Sequence, residues 1–223
     1  MIYSIALDGP GGAGKSSIAK QVAKKKGIVY VDTGAMYRAI ALYMLKHNVD
    51  IKDQQAVVNR LPQVDIQLEY RDGTQCIILN GEDVSTAIRT SEVSMAASVT
   101  SAYKEVRAFL MDTQRNVAKT TSVIMDGRDI GTVVLPDAQV KIFLSADSKI
   151  RAQRRFKELQ EKGDTITFEE VLADIEKRDW QDINRKEAPL RQAEDAVLLD
   201  TSYLDFEQSV QAVLDLIDEK VGG

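Results

Sequence analysis

Residues Ile2–Ser17 read IYSIALDGPGGAGKSS, an apolar strand that runs straight into a glycine-rich turn and then into a helix. Gly9, Gly14, Lys15 and Ser16 fall at the spacing G-x-x-x-x-G-K-S/T of a phosphate-binding P-loop. Glycines let the backbone bend so that successive N–H groups point into one concavity and hold phosphate oxygens. A helix starting near Lys15 adds the positive end of its dipole there. In this reading Gly9, Pro10, Gly11, Gly12, Ala13, Gly14, Lys15, Ser16 and Ser17 bind ATP. Lys15 reaches the β- and γ-phosphates, and the Ser16 hydroxyl ligates Mg²⁺. The alternative is a glycine-rich turn capping an ordinary helix. A chance match of this pattern in a chain this long is on the order of one in a hundred at ordinary glycine usage, and the flanking strand and helix lower that.

The chain has 223 residues, enough for one large domain with small inserts and a substantial core. With 29 basic and 34 acidic residues its net charge of −5 argues against a general nucleic-acid binder. It leaves room for a nucleotide site, which needs only local positive charge. Cys76 is the single cysteine, so no internal disulfide forms, and a reducing compartment is expected. The sequence opens on a core strand, so no signal peptide is expected, and no run approaches the ~18 apolar residues of a membrane span. The expectation is a soluble cytoplasmic monomer with no nucleic-acid or membrane partner.

Outward from the P-loop, Ile18, Ala19, Val22 and Ala23 recur at helical spacing, and Lys24–Lys26 with Gly27 close that helix. Ile28–Val31 reads as a strand that leads into DTGAMYR, Asp32–Arg38, and a helix to about Lys46. His47, the only histidine, sits at that helix end and is given no role. From about Pro62 to Glu92 the rhythm changes. Val64, Ile66, Leu68 and Tyr70 alternate with polar residues, Asp72-Gly73 supplies a hairpin turn, Gln75–Leu79 returns, and Asn80-Gly81 turns again. This predicts a small antiparallel insert, with Cys76 a packed or half-exposed thiol inside it.

Ser91 to Ala118 reads as helical, with Val99, Val106, Leu110 and Val117 as core contacts. Strands follow at Ser122–Met125, Lys141–Leu144 and Val197–Leu199. A charged helix runs from Asp147 to about Lys162, Thr167 and Glu170 form a capping box for the next helix, and Phe206–Val221 ends the chain as an amphipathic helix. Strands alternating with helices imply a parallel sheet covered on both faces, with functional groups at the carboxyl ends of its strands. Gly9–Lys15, Asp32–Arg38 and Asp126–Asp129 all fall there.

A P-loop alone does not distinguish a kinase from a GTPase or a motor, but the arginines narrow the choice. Arg151, Arg154 and Arg155 share one helix face, and Arg178, Asp182 and Arg185 share another. Surface ion pairing worth ~0–1 kcal/mol each is the competing explanation. It is preferred for Lys157 and Lys177. It is disfavoured for Arg151, Arg154 and Arg155, because no acid on their face is expected to match them. Mobile arginines stabilise the charge spread over a transferring phosphoryl group. Asp126, at the end of an apolar strand, reads either as a Mg²⁺-orienting carboxylate or as a buried turn aspartate. Arg128 and Asp129 could face a second substrate; an Asx turn would explain one aspartate but not the arginine.

GPGGAGKSS, DTGAMYR, the helix-borne Ser98 and Arg107, DGRDIGTVVLPDA and RDWQDINR together resemble the bacterial cytidylate kinases, in order, from Ser4 to about Leu199. Adenylate and guanylate kinases share the P-loop but not DTGAMYR followed by DGRD and RDxxDxxR. The resemblance implies the α/β P-loop kinase fold: a five-stranded parallel sheet covered by helices on both faces, a small antiparallel β insert that binds the monophosphate, and a short lid. Within one domain spanning 1–223, the insert is expected at 62–96 and the lid with its flanking helices at 148–187. The resemblance also implies roles. Tyr37, Arg38 and Arg128, helped by Arg185, hold the acceptor phosphate. Ser98, Arg107 and Asp129 contact the cytosine, and Arg178 and Asp182 the sugar hydroxyls. Arg151, Arg154 and Arg155 close over the ATP phosphates. Thr33 stands where the family often has serine and keeps the hydroxyl. Ser16-Ser17 replaces Gly-Thr at the end of the P-loop, and Ser16 restores the Mg²⁺ hydroxyl.

The expected activity is ATP-dependent phosphorylation of CMP and dCMP with Mg²⁺. Lys15, Arg128, Arg151, Arg154, Arg155 and Arg185 are the expected catalytic groups, and Ser16 and Asp126 the candidate metal ligands. The nearest rival is a P-loop kinase of UMP, AMP or a sugar acid. A GTP-driven switch is disfavoured because the guanine-reading N-K-x-D pattern is absent. A nucleotide-binding protein without activity would leave Lys15 and the lid arginines without purpose.

Overall fold

A computed structural model of the chain describes residues 2–161 and 163–222. Strand β1 (Ser4–Asp8) lies at the centre of a five-stranded sheet. It pairs in parallel with β6 (Val123–Gly127) on one side and β7 (Val140–Ser145) on the other. Beyond them, β2 (Val29–Asp32) and β8 (Val197–Asp200) form the edges, also parallel, giving the order β2-β6-β1-β7-β8. The register sets Asp32 beside Asp126, and Asp8 beside Gly127. Three carboxylate-bearing strand ends thus meet at one edge of the sheet.

Helices cover both faces, because buried parallel strands must hide apolar side chains on each side. One face carries α1 (Lys15–Lys26) and α8 (Phe206–Val221), whose Ile18, Val22, Val213 and Ile217 pack on Ile5, Leu7 and Ile142. The other carries α2 (Thr33–Lys46), α4 (Ser91–Thr100) and α5 (Lys104–Thr120), which pack on Val31, Val123 and Met125. Gly27 ends α1 in the left-handed conformation, as the sequence predicts. A separate small core of Ala152, Val171 and Ile175 joins α6 (Ser148–Glu161) to α7 (Phe168–Asn184). The Thr167–Glu170 capping box opens α7, while the expected end of α6 near Lys162 lies outside the described residues.

The insert is a three-stranded antiparallel sheet of β3 (Ile66–Arg71), β4 (Thr74–Leu79) and β5 (Glu82–Asp83). Asp72-Gly73 and Asn80-Gly81 all have positive φ, as tight hairpin turns require. Gln75 clamps the insert to the core, accepting from the Asp32 amide at 2.8 Å and donating to its carbonyl at 3.2 Å.

Two details differ from the sequence reading. Helix α3 (Gln54–Arg60), capped by Asp53, was not anticipated. The stretch from Ser91 to Ala118, read as helical, divides into two helices with a break at 101–103. The break contains no glycine or proline. It is held by one local and one long-range contact: Arg107 donates to the Ser101 carbonyl at 3.1 Å, and the Tyr103 hydroxyl donates to the Ile51 carbonyl at 2.8 Å. Val106 and Leu110 are fully buried as expected, whereas Val117 only flanks the core.

Candidate active site

The carboxyl ends of β1, β2 and β6 open into a cavity of about 290 Å³. Its floor is the P-loop. Gly9 has φ 147°, and a Cβ there would lie 2.0 Å from the Leu144 carbonyl oxygen, so only glycine can make this turn against β7. Gly14, at φ 86°, caps α1 and delivers Lys15 as the first helical residue. Gly11, Gly12, Gly14, Lys15, Ser16 and Ser17 line the cavity, whereas Gly9, Pro10 and Ala13 contribute the loop behind it. Lys15 Nζ is folded onto that loop, donating to the Gly9 and Pro10 carbonyls at 2.7 Å each. Burial and the nearby Arg128 charge push its pKa down to about 7. An anion in the cavity would relieve both effects.

Beside the P-loop, the Ser16 hydroxyl donates to Asp126 Oδ2 at 2.6 Å, and Tyr30 donates to Oδ1 at 3.2 Å. Burial, then repulsion from Asp32, pushes the Asp126 carboxyl up to about 6. A buried carboxylate held above its ordinary range beside a hydroxyl is suited to meet a cation. Among the described residues no cluster of three or more His, Cys, Asp or Glu could hold a metal alone. Mg²⁺ typically takes one or two protein oxygens and completes its shell with phosphates and water. The Ser16–Asp126 pair fits that pattern.

Opposite the P-loop, three arginines and two aspartates form one network. Arg107 donates to Asp129 Oδ2, and Arg185 lies 3.5 Å from Asp129 Oδ1 and 3.7 Å from Asp182 Oδ1. Arg128 Nε donates to Asp182 Oδ2 at 2.8 Å. Arg178 completes the wall, and burial together with Arg128 lowers its pKa. One Arg185 guanidinium nitrogen and Arg38 Nε are buried without a hydrogen-bond partner among the described residues. Leaving such donors unmatched costs ~1–3 kcal/mol each, and an anion in the cavity would supply the missing acceptors.

At the mouth, Arg38 donates to Asp32 Oδ2 at 2.9 Å, and Arg89 of the insert reaches the same oxygen at 3.2 Å. Tyr37 and Thr33 line the wall, the latter donating to the Asp126 carbonyl at 2.7 Å. Ser98 lines it from α4 and donates to Gln181 on α7 at 3.2 Å, joining the two helices across the cavity.

The expected acceptor-side residues therefore converge on one cavity. The three arginines of α6 do not. Arg151 is buried, bonding to the Gly11 carbonyl at 2.8 Å and to Asp179 Oδ2 at 2.5 Å. Arg154 turns away to the Thr201 carbonyl at 2.7 Å, and Arg155 pairs with Glu158 at 3.2 Å. The expectation that no acid matches this face is corrected on two counts. Glu158 lies one turn on in the same helix, and Asp179 is supplied by α7, which sequence spacing within α6 could not reveal. Sequence reasoning also missed Asp32 and Arg89. The Asp-Thr start of α2 signals a cap, which Asp32 provides to Ala35; Arg38 of the same helix and Arg89, 57 residues away, both reach its other oxygen.

The family model for cytidylate kinase matches residues 5–219. The chain belongs to the cytidylate kinase family. A cytidylate kinase of Caldicellulosiruptor saccharolyticus is 49% identical over 98% of this chain and 97% of its own length. One of Bacillus velezensis is 45% identical over 97% of each. Among solved structures, the shikimate kinase of Bacteroides thetaiotaomicron aligns with a TM-score of 0.50 at 15% identity, covering 98% of this chain and 99% of that one. At that identity the likeness speaks to the P-loop kinase fold alone, whereas membership of the cytidylate kinase family rests on the near-complete match in sequence.

Proposed function

We propose that this chain phosphorylates CMP and dCMP with ATP, giving CDP or dCDP and ADP by direct transfer. The observation that carries this reading is the pairing of a P-loop with the buried Arg107–Asp129–Arg185–Asp182–Arg128 network across one cavity. One side suits a triphosphate and the other a phosphate joined to a hydrogen-bonding base.

In this mechanism the P-loop amides and Lys15 hold the donor phosphates, with Lys15 leaving the Gly9 and Pro10 carbonyls for the phosphate oxygens. Ser16 and Asp126 would hold Mg²⁺, which supplies charge neutralisation on those phosphates. Arg38, Arg128 and Arg185 orient the acceptor phosphate, with Tyr37 beside them. Ser98, Arg107 and Asp129 face the base, and Arg178 and Asp182 the sugar. Transfer needs no strong general base, because the attacking phosphate oxygen is already anionic. The rate comes from in-line positioning and from cations aimed at the charge that spreads in the transition state. Arg151, Arg154 and Arg155 act only once α6 moves, since none of the three lines the cavity and each is held by a present partner. We take residues 62–96 and 148–187 as the two parts that close around the nucleotides.

A coupled assay of kcat/KM on CMP, dCMP, UMP and AMP tests this. CMP and dCMP should lead by at least tenfold. A lead by UMP or AMP would replace the reading with that of a kinase for another monophosphate.

A further inference from the structure

Asp8 ends β1, immediately before the P-loop, and is buried. Its two carboxylate oxygens each accept one backbone amide: Oδ1 from Ile130 at 2.8 Å and Oδ2 from Gly131 at 2.7 Å. These are the first two amides of a single wide helical turn, Ile130–Val134. In that turn the Asp129 carbonyl accepts from Val133 and Val134, and the Ile130 carbonyl from Leu135 at 2.7 Å. The opening amides of any helical turn have no partner within it. Here the missing acceptors come from another strand. A carboxylate gives each amide an oxygen of its own, whereas an asparagine has a single acceptor oxygen and sets an N–H₂ donor in the other position.

The arrangement is held against a cost. Burial pushes the Asp8 carboxyl up to about 6, although the two amides act in the opposite sense. The approach is also close, since a Cβ on Gly131 would lie 3.4 Å from Asp8 Oδ2 and 3.2 Å from the Lys141 side chain. The residues directly before the clamped turn are Arg128 and Asp129, and the residue directly after Asp8 is Gly9 of the P-loop.

We infer that Asp8 is a positioning residue for the transfer reaction, a rigid tie that fixes the acceptor-side turn carrying Arg128 and Asp129 against the donor-side P-loop. It touches neither substrate. It sets the distance between two halves of a site in which a misplacement of about 1 Å can cost roughly a hundredfold in rate. The inference rests on the proposed CMP kinase reading for its substrates.

The test is Asp8→Asn, which keeps size and one acceptor but turns an amide N–H₂ towards one backbone N–H. Gly131→Ala perturbs the same contact from the other side. Wild-type turnover of CMP is the control, and its failure would remove the functional reading and not the tie. Both variants should lower kcat by tenfold or more and raise KM for CMP by about tenfold. Their affinity for a non-hydrolysable ATP analogue, by calorimetry, should stay within twofold of wild type. Asp8→Glu should not restore activity, because the added methylene overshoots the two amides. The inference is overturned if the variants are merely less stable to heat with kcat and KM for CMP unchanged, or if they lose ATP-analogue and CMP affinity equally. Should Asp8→Asn not fold, Gly131→Ala decides between the same outcomes.

Discussion

Arg128 donates from Nε to Asp182 Oδ2 at 2.8 Å, tying the turn after β6 to the last turns of α7. Arg185 approaches the other Asp182 oxygen at 3.7 Å. Arg128 and Asp182, proposed to face the sugar, are thus not independent groups. Asp182 holds in place the guanidinium proposed to meet the acceptor phosphate, so its loss should be felt at two points of the same nucleotide.

Asp182→Ala should therefore raise KM for CMP more than loss of a sugar contact alone would. Losing one hydrogen bond to a charged group costs ~1.5–3 kcal/mol, or roughly ten- to 150-fold at ~1.36 kcal/mol per decade. Affinity for ATP should change by less than twofold. Steady-state kinetics with each nucleotide varied in turn measures both, and equal losses would assign the pair a purely structural role.

Lys15 presents a charge effect that can be read directly. Its pKa near 7 lies below the ordinary lysine value because it is buried near Arg128. Phosphate oxygens favour the ammonium, so ATP binding should draw protons onto Lys15 at pH 8 and scarcely any at pH 6. Calorimetry in buffers of differing ionisation enthalpy reports this uptake. Lys15→Met should abolish the uptake and remove most of kcat, since a lost donor at developing charge costs ~2.7–4 kcal/mol.

How much of this was legible in the sequence differs by residue. The P-loop was legible because its geometry is local: Gly9 and Gly14 need their φ values, and Lys15 and Ser16 follow at fixed offsets. The hairpin at Asp72-Gly73 was legible for the same reason. Arg151 was not, because its partner Asp179 stands on another helix and its second acceptor is the Gly11 carbonyl. The break between α4 and α5 was hidden because it holds no glycine or proline, and Tyr103 within it is anchored on the Ile51 carbonyl, 52 residues earlier. The wide turn at Ile130–Val134 carries no local signal, since its opening amides are met by Asp8, more than a hundred residues earlier.

Asp126 gives a prediction in pH. Its carboxyl is raised from 3.8 to about 6 in the folded chain, mainly by burial. The folded state then binds the proton more tightly than the unfolded one. The contribution to stability is fully present below pH 3.8 and is lost as pH rises through about 6. Asp126→Asn removes the penalty of the buried charge while keeping an acceptor for Ser16. The ligand-free variant should be more stable than wild type at pH 7.5, on the order of 1–3 kcal/mol, and the gain should vanish below about pH 4. Its kinase activity should be largely lost. Thermal unfolding across pH is the measurement, and a destabilised variant at pH 7.5 would contradict the sign.

Asp129 is the residue proposed to choose the base. Cytosine carries an amino group, a donor, where uracil carries a carbonyl, an acceptor. The Asp129 carboxylate, held by Arg107 on Oδ2 with Arg185 3.5 Å from Oδ1, presents only acceptor positions. CMP can donate to it. UMP would set two acceptors against each other and leave a buried polar group unpaired, at ~1–3 kcal/mol, which corresponds to roughly five- to 150-fold in kcat/KM. A site built to hydrogen-bond its substrate discriminates at least this strongly. Asp129→Asn keeps the size and one acceptor but adds an N–H₂ donor. It should lower kcat/KM for CMP and raise that for UMP relative to it, so the ratio moves towards one. If Asp129 served only to hold Arg107 and Arg185, both substrates would fall together. Measuring the CMP-to-UMP ratio before and after the substitution separates the two, and an unchanged ratio would take base reading away from Asp129.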